Sequence, residues 1–419
     1  MIATLLTAVV IAGPLGGEGE KLPTFGGSAV EPVSVPETVK EGEGPEATYR
    51  IYVLAESADR IHRVRFGPDG GEVEETKPIG AFPVMMEGPH GIQVSPDGES
   101  FYVTTGHGIP EGQFWEFQVG REEPVSGPID LGRFPATVDV TPDGLYAFVS
   151  NLNLYGEMVP STISTIHLPS FQEVEQTTTC TMPHGSRVSP DGLHHYSVCM
   201  MDDQLVELST QDFQVSRRFS LVQGEEGPME VEVAEAEDHH HDHPEHHADD
   251  DETPEAGDHV EHDPTEHEDH DATCTPTWAD TDPEGDFIYV ACVATDEVIE
   301  IRRDEWEKER RFATDRGPYN LEVTADLSTL VVTLREGAGV EFIDLERGES
   351  VAVHESSTER THGVVTSPDS KYAFVSVEGV GDEPGRVDIY ELDTFDRVET
   401  VEVRQQAAGI AFLEMEPEP

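Results

Sequence analysis

The chain is predicted to fold as an all-β, seven-bladed β-propeller, a ring of small sheets closed by pairing of the C-terminal strand with the first blade. Three observations predict it: a turn signal that recurs along the chain, a short β-rich run after each turn, and an alternating strand after each run. Internal repetition at this period is the signature of such radial folds.

The turn signal reads "SPDG" at 95 to 98, "TPDG" at 141 to 144, "SPDG" at 189 to 192, "DPEG" at 282 to 285, "TADL" at 324 to 327 and "SPDS" at 367 to 370. Pro presets φ at the first central position of a tight connection, and Gly later supplies a positive φ. The runs that follow are "FYVTT", "AFVSN", "HYSVC", "IYVAC", "LVVTL" and "AFVSV". Their alternation of branched and aromatic residues marks them as strands. Seven alternating third strands come next: "RIHRVRF", "GQFWEFQV", "STISTIHL", "QLVELS", "EVIEIRR", "GVEFIDL" and "RVDIYEL".

The first blade, entered through "RIYVLAES", lacks an innermost strand, and the chain ends on "AAGIAFLEM" at 407 to 415, an innermost strand without partners. One completes the other, which leaves the ring without an open edge. The propeller is therefore assigned to residues 49–415.

Asp97, Asp143 and Asp191 are 46 and 48 residues apart, but Asp191 to Glu284 is 93, which places an insertion between blades 4 and 5. Residues 224–273 form this insertion, with 21 acids and no Lys or Arg. Ten of the 19 histidines fall in it: His239, His240, His241, His243, His246, His247, His259, His262, His267 and His270. A solvating acidic loop explains the carboxylates but not this density of imidazole, so weak collection of several divalent ions is expected. Closing so long a loop is cheap, at about 0.6 kcal/mol per doubling of length.

The chain holds 86 acids against 25 bases, a formal charge of −61, and without the insertion 65 acids still face 25 bases. Acidity on every face repels nucleic acid and anionic membranes and keeps a protein hydrated in high salt, so a halophile's protein is expected. The start, "MIATLLTAVVIAGPLGG", is too short to span a bilayer and reads as a signal peptide within residues 1–20, although it lacks a basic flank. Export to the periplasm or outside follows, with 21–48 as a Gly-, Pro- and Glu-rich linker.

Aligning the blades on the turn compares chemistry position by position. Seven residues before the turn acid stand His90, Ala136, His184, Thr277, Tyr319 and His362, with Ala408 in the closing strand. The three histidines fall in blades 2, 4 and 7, each followed by Gly, which lets backbones approach closely at a crowded axis. Met182 and Met200 flank blade 4's ring position, Met85 and Met86 precede His90, and hairpin register sets Cys199 almost opposite His184. His, Met and Cys together favour copper, and three His alone suit zinc equally. The metal site is therefore expected at His90, His184 and His362, with Cys199, Met182 and Met200 beside them. The competing reading has histidines bonding backbone, methionines filling gaps and the cysteines in disulfides. Cys180, Cys199, Cys274 and Cys292 allow three pairings, Cys180 with Cys274 and Cys199 with Cys292 being one.

"FYVTT" at 101–105 and "FVSN" at 148–151 resemble the YVTN family of seven-bladed propellers, which includes YncE-type periplasmic proteins and lactonase-like relatives. The resemblance implies the fold and is nearly silent on activity. The blade-start "PHG" also resembles, more weakly, copper propellers of the selenium-binding protein or methanethiol oxidase family. Nitrous oxide reductase shares the blade-start histidines but needs a fuller ring and a cupredoxin domain.

The sequence thus supports an exported metal-binding propeller, for copper or else zinc, in metal handling or small-molecule oxidation. Its catalytic residues are not legible. A non-catalytic platform with a protein partner on one face competes. So does a lactonase with a divalent ion on Asp139, Asp280 and Glu322, which share one repeat position. The chain is expected to be a monomer without a membrane span.

Overall fold

A computed structural model describes residues 44–81, 85–106, 111–154, 156–231, 273–379 and 381–417. The signal-peptide segment 1–20, most of the linker and the ten loop histidines lie outside them. Among the described residues no helix is long and apolar enough to cross a membrane.

The β-propeller expected from the repeat is what forms. Seven antiparallel sheets each run outward from an innermost strand, and every innermost strand packs beside the next around the ring. Six sheets have four strands, and blade 4 gains a fifth, Gly227–Met229. Closure is as read from sequence: Ala407–Pro417 pairs antiparallel with Ala47–Ala55, setting Phe412 opposite Ile51 and Ile410 opposite Val53.

The turn explains its own residue types. Ser95 Oγ donates to Asp97 Oδ1 at 2.6 Å, and the same carboxylate oxygen accepts the Glu99 N–H at 3.0 Å. Thr141 with Asp143, Ser189 with Asp191, Thr324 with Asp326, and Ser367 with Asp369 repeat the hydroxyl contact. In blade 5 Asp282 stands where the others have Ser or Thr, and it accepts the N–H groups of Asp286 and Phe287 itself at 2.9 and 3.1 Å. These local bonds satisfy the backbone of a hairpin that must bend sharply.

Most of the core lies between blades. Seven clusters of buried apolar side chains sit one at each blade-to-blade contact, the closing one combining Tyr49, Ile51 and Val53 with Phe374, Val387 and Ile389. Second strands are therefore covered on both faces: Ile51, Tyr52, Val53 and Leu54 are all fully buried. Outermost strands alternate half-buried and exposed residues, as in Gly70–Pro78, because they have solvent on one side.

Candidate metal centre and axial channel

Each innermost strand carries a register irregularity at the aligned ring position, for example between Pro89 and Ile92, between Pro183 and Ser186, and between Ala407 and Ile410 of the closing strand. Such bulges re-aim a side chain. Glycine is required there by neighbouring backbone: a Cβ on Gly185 would lie 2.4 Å from Trp278 Cα, and one on Gly409 would lie 2.1 Å from the His90 carbonyl oxygen. Hydroxyls from neighbouring strands stitch the ring, Thr333 Oγ1 donating to the His362 carbonyl at 2.9 Å and Thr137 Oγ1 to that of His184 at 2.8 Å.

The three histidines do converge. The His90 ring centroid is 5.2 Å from that of His362 and 6.3 Å from that of His184, while Tyr319 lies 5.1 Å from His362 and 5.8 Å from His184. Ligand atoms, however, gather differently: those of Glu56, His90 and His362 all lie within 4.8 Å of one another, and His184 is outside this set. All three residues are buried.

His90 Nδ1 is 2.7 Å from the Ala136 carbonyl oxygen, which can only accept, so Nδ1 carries the proton. Its Nε2 then presents a lone pair, 3.5 Å from Glu56 Oε1. A ligating histidine is usually oriented in this way by a carbonyl on its other nitrogen. Glu56 opens a short 3₁₀ turn, Glu56–Ala58, after the first blade's second strand, and Gln406 Nε2 donates to its Oε2 at 2.5 Å. Two imidazoles and a carboxylate are a donor set for zinc or another divalent ion, with coordination positions left for a ligand. His184 is tied to the Thr277 carbonyl at 2.6 Å, and burial pushes its pKa down to about 4. It packs against Trp278 and Tyr319 as a neutral wall of the axis.

The sulfur atoms expected beside His184 have other roles. Cys199 is bonded to Cys180 and Cys274 to Cys292, so neither strand-end sulfur is a thiolate. The first bond ties blade 3's outermost strand, Gln172–Thr181, to the second strand of blade 4, the second closes the entry to blade 5, and neither joins blades 4 and 5. Register explains this, because Cys199 lies opposite Pro183 and Cys292 opposite Pro276, close to Cys180 and Cys274. Met182 packs with Phe134, Ala136 and Leu152, and Met200 and Met201 lean on the same cluster as gap-filling side chains. Met85 and Met86 are largely exposed.

Glu56 escaped the sequence reading, although a signal existed. The residue directly after each second-strand run is Glu56, Gly106, Leu152, Met200, Val293, Arg335 and Glu378 around the ring. Charge therefore occupies blades 6, 7 and 1, and apolar residues occupy blades 3 to 5. Arg335 lies 4.6 Å above the Tyr319 ring and pairs with Glu378 at 2.9 Å.

From this ring a channel of about 350 Å³ runs to the turns at Pro190 and Pro283, with His90 and His362 lining one end. Three residues beyond the ring, at a level termed the waist, stand Gln93, Asp139, Arg187, Asp280, Glu322, Val365 and Ala411, all of which except Asp139 line the channel. The three acids proposed as a divalent-ion site surround a guanidinium that the sequence reading overlooked in the same register. Arg187 Nε donates to Asp280 Oδ1 at 2.7 Å, and Asp139 accepts the Val140 and Val188 N–H groups at 2.8 and 2.7 Å. Arg187 thus already supplies the positive charge among them. Burial raises the pKa of Asp139 and Asp280 despite Arg187. Glu322, desolvated and beside Asp280, is pushed up to about 7.

A carboxyl with a raised folded-state pKa holds its proton better folded than unfolded. Its stabilising effect is therefore greatest below the usual carboxylate range and fades as pH rises toward about 7. Glu322→Gln is expected to flatten the fall in urea midpoint between pH 5 and 8 relative to wild type. Parallel pH curves for the two proteins would refute the assignment.

No protein-family model and no curated protein sequence matches the chain. Among solved structures, the periplasmic gluconolactonase of Pseudomonas aeruginosa aligns at a TM-score of 0.63 and 15% identity, over 88% of this chain and 99% of that one. A putative 6-phosphogluconolactonase of Bacteroides uniformis gives 0.61 at 14% identity, over 87% and 99%. The chain also spans 63% of a hydrazine synthase of Kuenenia stuttgartiensis, using 62% of its own length, at 21% identity and a TM-score of 0.44. The two lactonase-like neighbours share the propeller fold with this chain.

Proposed function

We propose that this propeller binds a divalent metal ion at Glu56, His90 and His362 and hydrolyses a small lactone held in the axial channel. The observation that carries the reading is the buried two-histidine, one-carboxylate set, with both histidines lining a channel of about 350 Å³. That volume is in the range of small-molecule sites. A bound ion supplies Lewis-acid polarisation of a carbonyl. The Ala136 carbonyl holds His90 in its ligating tautomer, Gln406 orients Glu56, and the channel walls limit access of bulk water. Hydrolysis adds water at the carbonyl carbon, breaks the ring C–O bond and leaves the ring oxygen as a hydroxyl. The names of the two full-length fold neighbours support this reaction class.

The donor set suits zinc at least as well as copper, because no thiolate joins the imidazoles. "FYVTT" and "FVSN" support membership of the YVTN group. Two disulfides support export to an oxidising compartment, where the histidine-rich run would collect metal for the axial site.

The test uses untagged protein lacking residues 236–272, so that loop histidines cannot mask the axis. One tightly held ion per chain is expected by elemental analysis, together with hydrolysis of D-glucono-1,5-lactone above the spontaneous rate that chelation abolishes. Absence of a retained ion after metal loading and dialysis would rule the reading out.

A further inference from the structure

The waist of the channel carries chemistry that a metal centre alone does not need. Arg187 is flanked by Asp280, Asp139 and Glu322, and carries the only positive side chain among the residues lining the channel. Asp280 pairs with its charge, and Glu322 adds a negative charge when pH exceeds the value of about 7 to which its pKa is pushed. Glu322 uses Oε1 to accept the Thr366 N–H and hydroxyl at 2.8 and 2.9 Å, and its other oxygen has no hydrogen-bond partner among the described residues. Asn320, 4% exposed and lining the same channel, keeps Oδ1 buried without a partner, as Trp278 does its Nε1. Buried polar atoms left unpaired cost stability, and a native structure that keeps several along one cavity usually pairs them with a ligand or water. The wall therefore offers acceptors on carboxylate and amide oxygens and donors on an indole and a guanidinium, the complement of a molecule bearing several hydroxyls.

We propose that this waist selects a neutral, hydroxyl-rich molecule and rejects its phosphorylated counterpart. Ring and waist are three residues apart on an extended strand, so at most about 10 Å separates them. A six-carbon lactone with its carbonyl at the Glu56, His90 and His362 end directs its far hydroxymethyl group to the waist. A phosphate there would face Asp280 and Glu322 at close range in a poorly solvated channel, and Arg187 is already committed to Asp280. The reaction rests on the lactonase reading, but the binding preference does not, and the experiment separates them.

Hydrolysis of D-glucono-1,5-lactone and of its 6-phosphate is compared at matched ionic strength at about pH 8, above the value of about 7 to which Glu322 is pushed. The neutral lactone is expected to be favoured at least about tenfold in kcat/KM, a gap that Glu322→Gln narrows by removing a carboxylate from the waist. Equal rates, or preference for the phosphate, would overturn the proposal and make Arg187 a phosphate ligand. If neither lactone is hydrolysed, the lactonase reading falls and binding decides. D-Glucitol and D-glucitol 6-phosphate are then titrated against tryptophan fluorescence, with Trp278→Phe as the control that the signal comes from the channel. Tighter binding of glucitol sustains the proposal, and binding of neither, or of the phosphate, refutes it.

Discussion

His362→Ala is expected to remove the tightly held axial ion, whereas His184→Ala is expected to keep it. Both histidines occupy the same repeat position, so sequence alone would treat them alike. The structure separates them, because ligand atoms of His362, His90 and Glu56 share one 4.8 Å cluster and His184 lies outside it. Loss of a residue that merely orients a ligand lowers metal affinity about 10- to 100-fold, and loss of a ligand should exceed that. His90→Ala and Glu56→Gln should match His362→Ala. Calorimetry with zinc and copper on the loop-deleted protein reads the difference, and circular dichroism checks that each variant folds. A His184→Ala protein that loses the ion while His362→Ala retains it would reverse the assignment.

Asp280→Ala is expected to destabilise the propeller by about 3 kcal/mol, toward the low end of the range for breaking a buried ion pair. The cost arises from Arg187, left in the channel wall with Asp139 and Glu322 as its remaining counter-charges. Arg187→Met on the Asp280→Ala background should recover much of the loss, since an apolar side chain has no charge to strand. Urea unfolding at pH 7 measures it. Equal stability of Asp280→Ala and wild type would mean that the Arg187–Asp280 contact at 2.7 Å contributes nothing net.

The two cases show where the repeat was informative. Alignment on the turn put His90, His184 and His362 on one ring, and their rings do meet at the axis. The same alignment puts Asp139, Arg187, Asp280 and Glu322 on another ring, where three like acids suggest a cation site and the Arg among them already supplies the positive charge. Glu56 was harder to read. It stands one strand away from His90 in register and belongs to a different blade, and glutamate is common throughout so acidic a chain.

By itself the sequence determined the blade count, the Ser/Thr-to-Asp turn, the closure of the ring through Ala407–Pro417 and the glycines beside the ring histidines. All of these are set by neighbours close in the chain or by the repeat period, where steric demand and hydrogen-bonding capacity act locally. Only the tertiary structure decided which ring residues share a ligand-sized space. It drew Glu56 to His90 and His362, left His184 against Trp278 and Tyr319, paired Cys180 with Cys199 and Cys274 with Cys292, and set Arg187 among three carboxylates. The physical reason is radial: near the axis, side chains from seven blades compete for one narrow volume. Bulge geometry and differences between blades of a few ångströms then choose partners that no period in the sequence encodes.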